Sequence, residues 1–272
     1  VVGAGPTGCE SAYVFNRFGV EVTWIVDQFG ILPQMHRDLG LHLGKALVRQ
    51  GVNIVQGQMV ERLERGEKVT AVLADGTCVA AEMVFVAIGR APDWKRLNLA
   101  AAGLKPNALG QLQTDDFGRS ESGEIYFVGD AAGGPLIANK AMAQARVAGR
   151  HAAGTMVRGY NPFLVAQVTY TEPQAAQMGE VDQMETVRSV RVPFSAGLKS
   201  HLIGDTDGFL ELFYSTANQQ VKGAIALGPN AADVLAPVAV ALQLKATLNQ
   251  MAEIYAPHPS LSERSFIAAR AA

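Results

Sequence analysis

Cysteine, excess positive charge and long apolar runs are all in short supply. The 272 residues hold two cysteines, Cys9 and Cys78. They lie far apart and form no pair motif, which argues against a disulfide-stapled secreted scaffold. Lys plus Arg number 23 against 25 Asp plus Glu, for a formal net charge of -2. Without a basic excess there is no electrostatic footprint for nucleic acid or an anionic membrane surface. No apolar run reaches the roughly 18 residues of a membrane span, and the opening Val1-Val2 is too short for a signal peptide; a cytoplasmic setting is expected. No metal site is assigned. Charged residues make up only 18%, whereas hydrophobic residues reach 49%. That balance excludes a disordered chain and leaves material for about two domains at ~150 residues each. An initiator Met is also lacking, and the chain opens two residues before a glycine turn. Strands feeding such turns run to about five or six residues, so the sequence is expected to begin inside a strand, with residues upstream of it.

What is present first is that turn. Val1-Val2-Gly3-Ala4-Gly5-Pro6-Thr7-Gly8 is a G-x-G-x-x-G run, weak alone and strengthened by its surroundings. Residues 9–18 read as a helix with Ala12, Phe15 and Phe18 on its apolar face, ended by Gly19. Residues 20–26 alternate and are rich in β-branched side chains, as a strand is. Asp27 closes that strand, 19 residues after Gly8. This is a Rossmann arrangement: Gly3 allows the tight turn, Gly5 lets backbone approach a pyrophosphate, and Gly8 allows close helix–strand packing. The helix start offers free N–H groups and a positive dipole end to phosphates. Asp27 would accept hydrogen bonds from an adenosine ribose and repel a 2′-phosphate, favouring NAD over NADP; the bland alternative is that it merely starts a turn. No arginine lies between Asp27 and Met35, although Arg37 could fold back.

Residues 38–50 read as a second helix, stopped by Gly51, and 52–55 as a short strand. Residues 60–63, 69–73 and 78–80 read as antiparallel strands with Asp75-Gly76 as a hairpin turn. Cys78, beside that hairpin, is expected to be a packed small residue rather than a reactive thiol. Residues 83–88 form a continuous apolar run, expected as a buried parallel strand.

Taken in order, the glycine turn, the antiparallel excursion and Val84-Phe85-Val86-Ala87-Ile88-Gly89-Arg90-Ala91-Pro92 resemble the pyridine nucleotide-disulfide oxidoreductases. These are FAD enzymes that include dihydrolipoamide dehydrogenase, glutathione reductase and mercuric reductase. The resemblance runs through the whole chain. It implies an α/β Rossmann-type NAD-binding domain over residues 1–92, its first strand clipped. It further implies the C-terminal part of a second, FAD-binding Rossmann-type domain over 93–158 and an α+β dimerisation domain over 159–272. It adds Thr7, Glu10, Val60 and Gly89 to the NAD site, with Glu10 near the nicotinamide side. On the dipole alone, Glu10 is a solvated acid in the first helical turn.

Residues 125–128 read as an apolar strand that ends at Gly129-Asp130, and ligands bind at such carboxyl ends. The resemblance makes this the second FAD motif, with Asp130 on the ribityl chain. Leu136, Ile137 and Ala138 then resemble the opening of the helix that meets the flavin ring, whose N–H groups can stabilise negative charge on the reduced flavin. Residues 140–156 read as a core helix. His151 is assigned no chemistry and is expected at the surface or between domains.

In the last third, residues 165–171, 209–214 and 221–227 read as strands. A helix opens at Gly228-Pro229-Asn230-Ala231 and runs toward Lys245, with Pro237 as a break. This stretch resembles the family's dimerisation domain, especially that of dihydrolipoamide dehydrogenase, which implies a homodimer and a place in a 2-oxo acid dehydrogenase complex. The segment His258-Pro259-Ser260-Leu261-Ser262-Glu263 carries the chemistry. Dithiol exchange needs a base near pH 7, and imidazole fits. A carboxylate on the other ring nitrogen would fix the tautomer and stabilise the imidazolium. His258 and Glu263 match the family's base and its partner, which act in the opposite subunit's active site. By spacing alone the segment reads equally well as a histidine capping a turn before a helix.

The family also has an N-terminal FAD segment and a C-x4-C redox pair. Neither occurs here, and Cys9 cannot stand in for the pair. The chain alone is therefore expected not to reduce a disulfide and to hold FAD weakly or not at all, while the NAD turn is local enough to survive. Asp27 argues against an NADPH-dependent glutathione reductase, and the His258/Glu263 pair argues against a transhydrogenase. Mercuric reductase stays open, as does a non-catalytic, dimerising nucleotide-binding module.

Overall fold

Pro6 has the fixed φ that a helix start needs and no N–H to leave unpaired. In the computed structural model, which describes residues 1–108 and 110–272, helix α1 (Pro6–Arg17) begins on it. Gly19, at φ +81, lets the chain leave the helix. β1 (Thr23–Val26), α2 (Arg37–Arg49) and β2 (Asn53–Gln56) follow. β1 and β2 pair in parallel with Thr23 opposite Asn53. Val2 bridges Ile25 on one side and Val86 on the other, both in parallel, which gives the opening of a doubly wound sheet. β3 (Val60–Arg65), β4 (Val69–Leu73) and β5 (Cys78–Ala81) form a separate antiparallel sheet. Asp75 turns its hairpin by accepting from Thr77 N at 2.8 Å.

Two expectations fail here. The apolar run 83–88 is extended, with Val2 N donating to Phe85 O and Ala87 N donating to Val2 O, yet it is not buried. Met83 and Ile88 are 84% and 77% exposed. Val84 packs on the Val2/Ile25/Ala71/Leu73 cluster and Phe85 meets Phe15 edge-on; the segment is not covered on both faces, as a continuous apolar run suggests. Cys78 is exposed rather than packed, because its side chain points away from the three-stranded sheet's covered face.

Residues Val1–Gly89 and Ala166–Ala272 together make one compact unit, and Arg90–Val165 make a second. The second unit centres on Leu104, Leu112 and Phe127, with Trp94 edge-on to Phe127. Residues 125–128 are not a ladder strand: a single bridge, Arg119 to Tyr126, closes a tight hairpin around Gly123. α3 (Ala138–Ala152) stops short of the expected 156 and buries only Lys140 and Ala148, so its alanines do not make it a core helix. His151 is half-buried and packed within this unit. It stacks on Phe117 at 4.2 Å, and its Nδ1 lies 2.8 Å from the Tyr126 hydroxyl.

The rest of the first unit is an antiparallel sheet. Its strands are β6 (Gln167–Thr169), β7 (Gln174–Gly179), β8 (Val187–Pro193), β9 (Phe209–Ser215) and β10 (Val221–Gly228), in the spatial order β6-β7-β10-β9-β8. Around it lie α4 (Leu198–Leu202), α5 (Ala231–Val234), α6 (Ala236–Leu244), α7 (Leu248–Ala252) and α8 (Glu263–Ala271). The helix expected from Gly228 toward Lys245 is broken at Leu235, two residues before Pro237, into α5 and α6. Strand periodicity sends alternate side chains to opposite faces, and β9 uses both. Phe209 and Phe213 join a core with Trp24, Leu39 and Leu43, whereas Leu210 and Leu212 join a core with Val234, Val238 and Phe266. The sheet thus seats the Rossmann unit on one face and its own helices on the other. Polar ties reinforce that seam: His36 N donates to Gln177 Oε1 at 2.6 Å, and Arg191 bridges Asp38 and Glu211. Among the described residues no helix is long and apolar enough to cross a membrane.

Candidate functional site

The three glycines of the opening turn do different work. Gly3 sits at φ +101, and a Cβ there would meet Ala87 O at 2.4 Å. A Cβ on Gly8 would lie 2.0 Å from Gly3 O, so the helix rests directly on the turn. Nothing stands within 4 Å of a Cβ on Gly5, so its bare face is open to approach. The indole of Trp24, fully buried on β1, donates to Gly3 O at 2.8 Å and fixes the turn from beneath. The start of α1, with Thr7 exposed, carries no side-chain cap, so its amides and positive dipole end are left for an anion. Cys9 is buried behind the turn, its Sγ 3.5 Å from Ala4 O, and burial pushes its thiol up. It is a packing residue.

Asp27 follows β1 directly. Its Oδ1 accepts from Phe29 N at 2.9 Å, so one oxygen shapes the turn and Oδ2 has no partner among the described residues. The next residues line a cavity of about 850 Å³ with α2 and β2. Gln28, Phe29, Arg37, Lys45 and Gln56 are on its wall. Arg37 and the loop that follows Asp27 thus line one cavity. Val60 opens β3 opposite Leu73 and packs on the Val2/Ile25 cluster. Gly89 is exposed at φ +123. Glu10 is not simply solvated: its Oε1 accepts from Tyr170 N at 2.8 Å, tying α1 to the end of β6.

In the second unit, Asp130 is exposed within a single helical turn, 129–132, that begins where the extended segment ends. Leu136 is 38% exposed. Ile137 is the N-cap of α3, Ala138 is its first residue, and no side chain caps it. Lys140, two residues further on, is buried at 3% exposure. Its Nζ donates to Gly129 O at 2.9 Å and also to Gly133 O. Burial lowers its pKa, and the charge of Asp130 opposes that shift. A lysine in an alanine-rich helix reads as solvated, and no local sequence signal marks it otherwise.

His258 and Glu263 are brought together. His258 Nδ1 lies 2.9 Å from Glu263 Oε2. Glu263 is nearly buried as the first residue of α8, where the helix dipole favours a carboxylate. The imidazole is 63% exposed, and its Nε2 has no partner among the described residues. A carboxylate at Nδ1 holds the proton there, which leaves the Nε2 lone pair to act as a base. The pair sits at a helix start, as the turn-before-a-helix reading of this segment has it. Arg264, next in sequence, is fully buried. Burial pushes its guanidinium pKa down, and the charge of Glu263 pulls it up. Among the described residues no group of three or more His, Cys, Asp or Glu could hold a metal ion.

Two family models match. One, described as pyridine nucleotide-disulphide oxidoreductase, covers residues 1–152, and one for that family's dimerisation domain covers 160–268. The dihydrolipoyl dehydrogenase of Halobacterium salinarum is 32% identical over 99% of this chain and 59% of its own length. The mercuric reductase of Bacillus cereus is 29% identical over 97% of this chain and 43% of its own. The crystal structure of LpdA from Mycobacterium tuberculosis superposes with a TM-score of 0.93 at 28% identity, covering 99% of this chain and 60% of that one. The chain thus spans about 60% of the dihydrolipoyl dehydrogenases that it matches.

Proposed function

The chain belongs to the pyridine nucleotide-disulphide oxidoreductase family, and on that premise we propose that it is the NAD-binding, part-flavin-binding and dimerising portion of an FAD-dependent NAD-disulfide oxidoreductase of the dihydrolipoyl dehydrogenase kind. In this reading residues 1–92 bind NAD, 93–158 complete the flavin domain and 159–272 form the dimer contact. A cytoplasmic setting and a place in a 2-oxo acid dehydrogenase complex belong to the same reading.

The residues fit both cofactors in part. Nothing stands within 4 Å of a Cβ on Gly5, which leaves open space next to the uncapped start of α1, and Asp27 keeps one carboxylate oxygen for a ribose. Asp130 and the uncapped start of α3 fit one side of a flavin. When bound, the two cofactors supply the electron-carrying chemistry. The chain's own task is proton handling: Nε2 of His258 takes a thiol proton, and Glu263 stabilises the imidazolium through Nδ1. The exchanging sulfurs are not among these residues, because Cys9 is buried and Cys78 stands alone.

The dimer contact is read from a groove of about 880 Å³ on the region that matches the dimerisation model, lined by Pro237, Val240, Leu244, Ile254, Ser262 and Phe266. Val240 and Leu244 are 59% and 71% exposed. A second copy covering this face would bring its own surface up to Ser262, the neighbour of Glu263.

The 2.9 Å His258–Glu263 contact carries the reading, because imidazole backed by a nearly buried carboxylate suits thiol exchange. In the full-length protein, His258→Gln should lower dihydrolipoamide turnover with NAD by 10²-fold or so, the usual scale for a lost general base. Its oxidation of NADH by an artificial electron acceptor, which needs no thiol base, should be unchanged. Near-normal dihydrolipoamide turnover by the variant would overturn the assignment. A full-length protein that binds NAD and dimerises but turns over no dithiol would leave the non-catalytic module.

A further inference from the structure

Lys140 stands against two opposing forces. Burying an ammonium costs free energy, and a cation in the first turn of a helix opposes the macrodipole. Lys140 does both, at 3% exposure and as the third residue of α3. Its partners are backbone carbonyls, Gly129 O and Gly133 O, on either side of Asp130 in sequence. One turn further along α3, Gln144 Oε1 accepts from Gly129 N at 2.8 Å. Positions i and i+4 share one helix face, so this face grips Gly129 at both its N–H and its C=O. The loop closes on itself as well, with Gly133 N donating to Asp130 O at 3.1 Å. A helix that needed only to pack would fill these positions with apolar side chains.

We propose that Lys140 and Gln144 are positioning residues for a flavin: they lock the Gly129–Gly133 turn to α3, so that the Asp130 carboxylate and the first amides of α3 are held in one fixed register. This rests on the flavin reading given above. Neither residue touches the flavin in this scheme; each acts through the backbone that carries the contacts. The ammonium also places a fixed positive charge in the same turn as those amides.

Two measurements separate the clamp from the reading beneath it. Amide exchange on this chain, without flavin, should rise at least tenfold at Gly129 in Gln144→Leu, and across residues 129–134 in Lys140→Met, while the last turns of α3 keep their protection. FAD titration of the full-length protein should show both variants binding at least tenfold more weakly, with a shifted flavin absorbance and reduction potential. Gln144→Glu keeps an acceptor for Gly129 N and should restore both. If the full-length parent holds FAD while both variants hold it within twofold, with an unmoved spectrum, the clamp is wrong and the flavin reading stands. If the full-length parent holds no FAD at all, the flavin reading falls and takes this proposal with it.

Discussion

The guanidinium of Arg264 fills the place that a side chain on Gly197 would need. A Cβ on Gly197 would lie 0.7 Å from Nη2, although its φ of -126 would suit any residue. The same guanidinium is fully buried, and among the described residues Nε, Nη1 and Nη2 have no hydrogen-bond partner; Ser200 Oγ is in the same condition. Gly197→Ala should therefore destabilise by about 2–3 kcal/mol through overpacking. Arg264→Met should be neutral or stabilising by about 1–3 kcal/mol, because an unpaired buried charge is removed. In an Arg264→Ala background, Gly197→Ala should cost far less. Urea melts of the parent and these four variants check this, and strict additivity would mean that the two positions do not compete for space.

Gly5 and Gly8 should separate ligand binding from folding. Gly8→Ala drives a methyl into Gly3 O and should cost at least about 2 kcal/mol. Gly5→Ala meets nothing and should stay within about 0.5 kcal/mol of the parent. It should nevertheless weaken NADH about tenfold or more, since the methyl occupies the approach to the turn. Thermal melts and NADH fluorescence titration read the two effects independently.

Coenzyme choice should hinge on Asp27 against Arg37. Asp27→Ala should weaken NADH about tenfold, in line with one charge-assisted hydrogen bond. It should weaken NADPH little or improve it, because Arg37 and Lys45 line the cavity next to that loop. Adding Arg37→Ala should take the NADPH gain away. Equal losses for both coenzymes in Asp27→Ala would assign the carboxylate to its turn alone.

Acid should loosen the seam at Arg191 first. The Arg191 guanidinium holds the Asp38 carboxyl below its ordinary 3.8, and partial burial opposes this. A carboxyl with a lowered folded-state pKa contributes stability above its unfolded value and loses it as pH falls through the folded one. Both side chains are about one-third exposed, so the contribution is under ~1 kcal/mol. The stability gap between the parent and Asp38→Asn should be flat from pH 8 to about 5 and close below about 4. Asp205 should do the opposite. Burial raises its pKa, so Asp205→Asn should stabilise at neutral pH and lose that advantage in acid. Denaturant melts across pH test both.

Legibility in the sequence followed range. The glycine turn was readable because its glycines, α1 and β1 follow one another closely in sequence, and His258 finds its carboxylate within five residues. β9 and β10 were readable because both are rich in apolar side chains. β7 was not: Gln174-Ala175-Ala176-Gln177-Met178-Gly179 has no β-branched residue. It is a strand because Ala175 and Ala176, both fully buried, point into different cores where little room remains. Residues 83–88 misled in the other direction, since apolar content states a preference for cover and does not supply it. Charged residues hid best. No local signal marks Lys140 or Arg264 as buried, and only tertiary packing buries them. Arg191 with Asp38, and Glu10 with Tyr170, are pairs that no window along the chain could join.

The last of these has a temporal side. The carboxylate of Glu10 and the amide that it caps are separated by 160 positions. At the usual 5–20 residues per second, a ribosome delivers the second roughly 8–30 s after the first. Through that interval the helix carrying the glycine turn exists without the completed antiparallel sheet that backs it. The glycine turn thus gains this support late, from residues made well after it, and a nascent chain stalled before Tyr170 should look to a chaperone like a client.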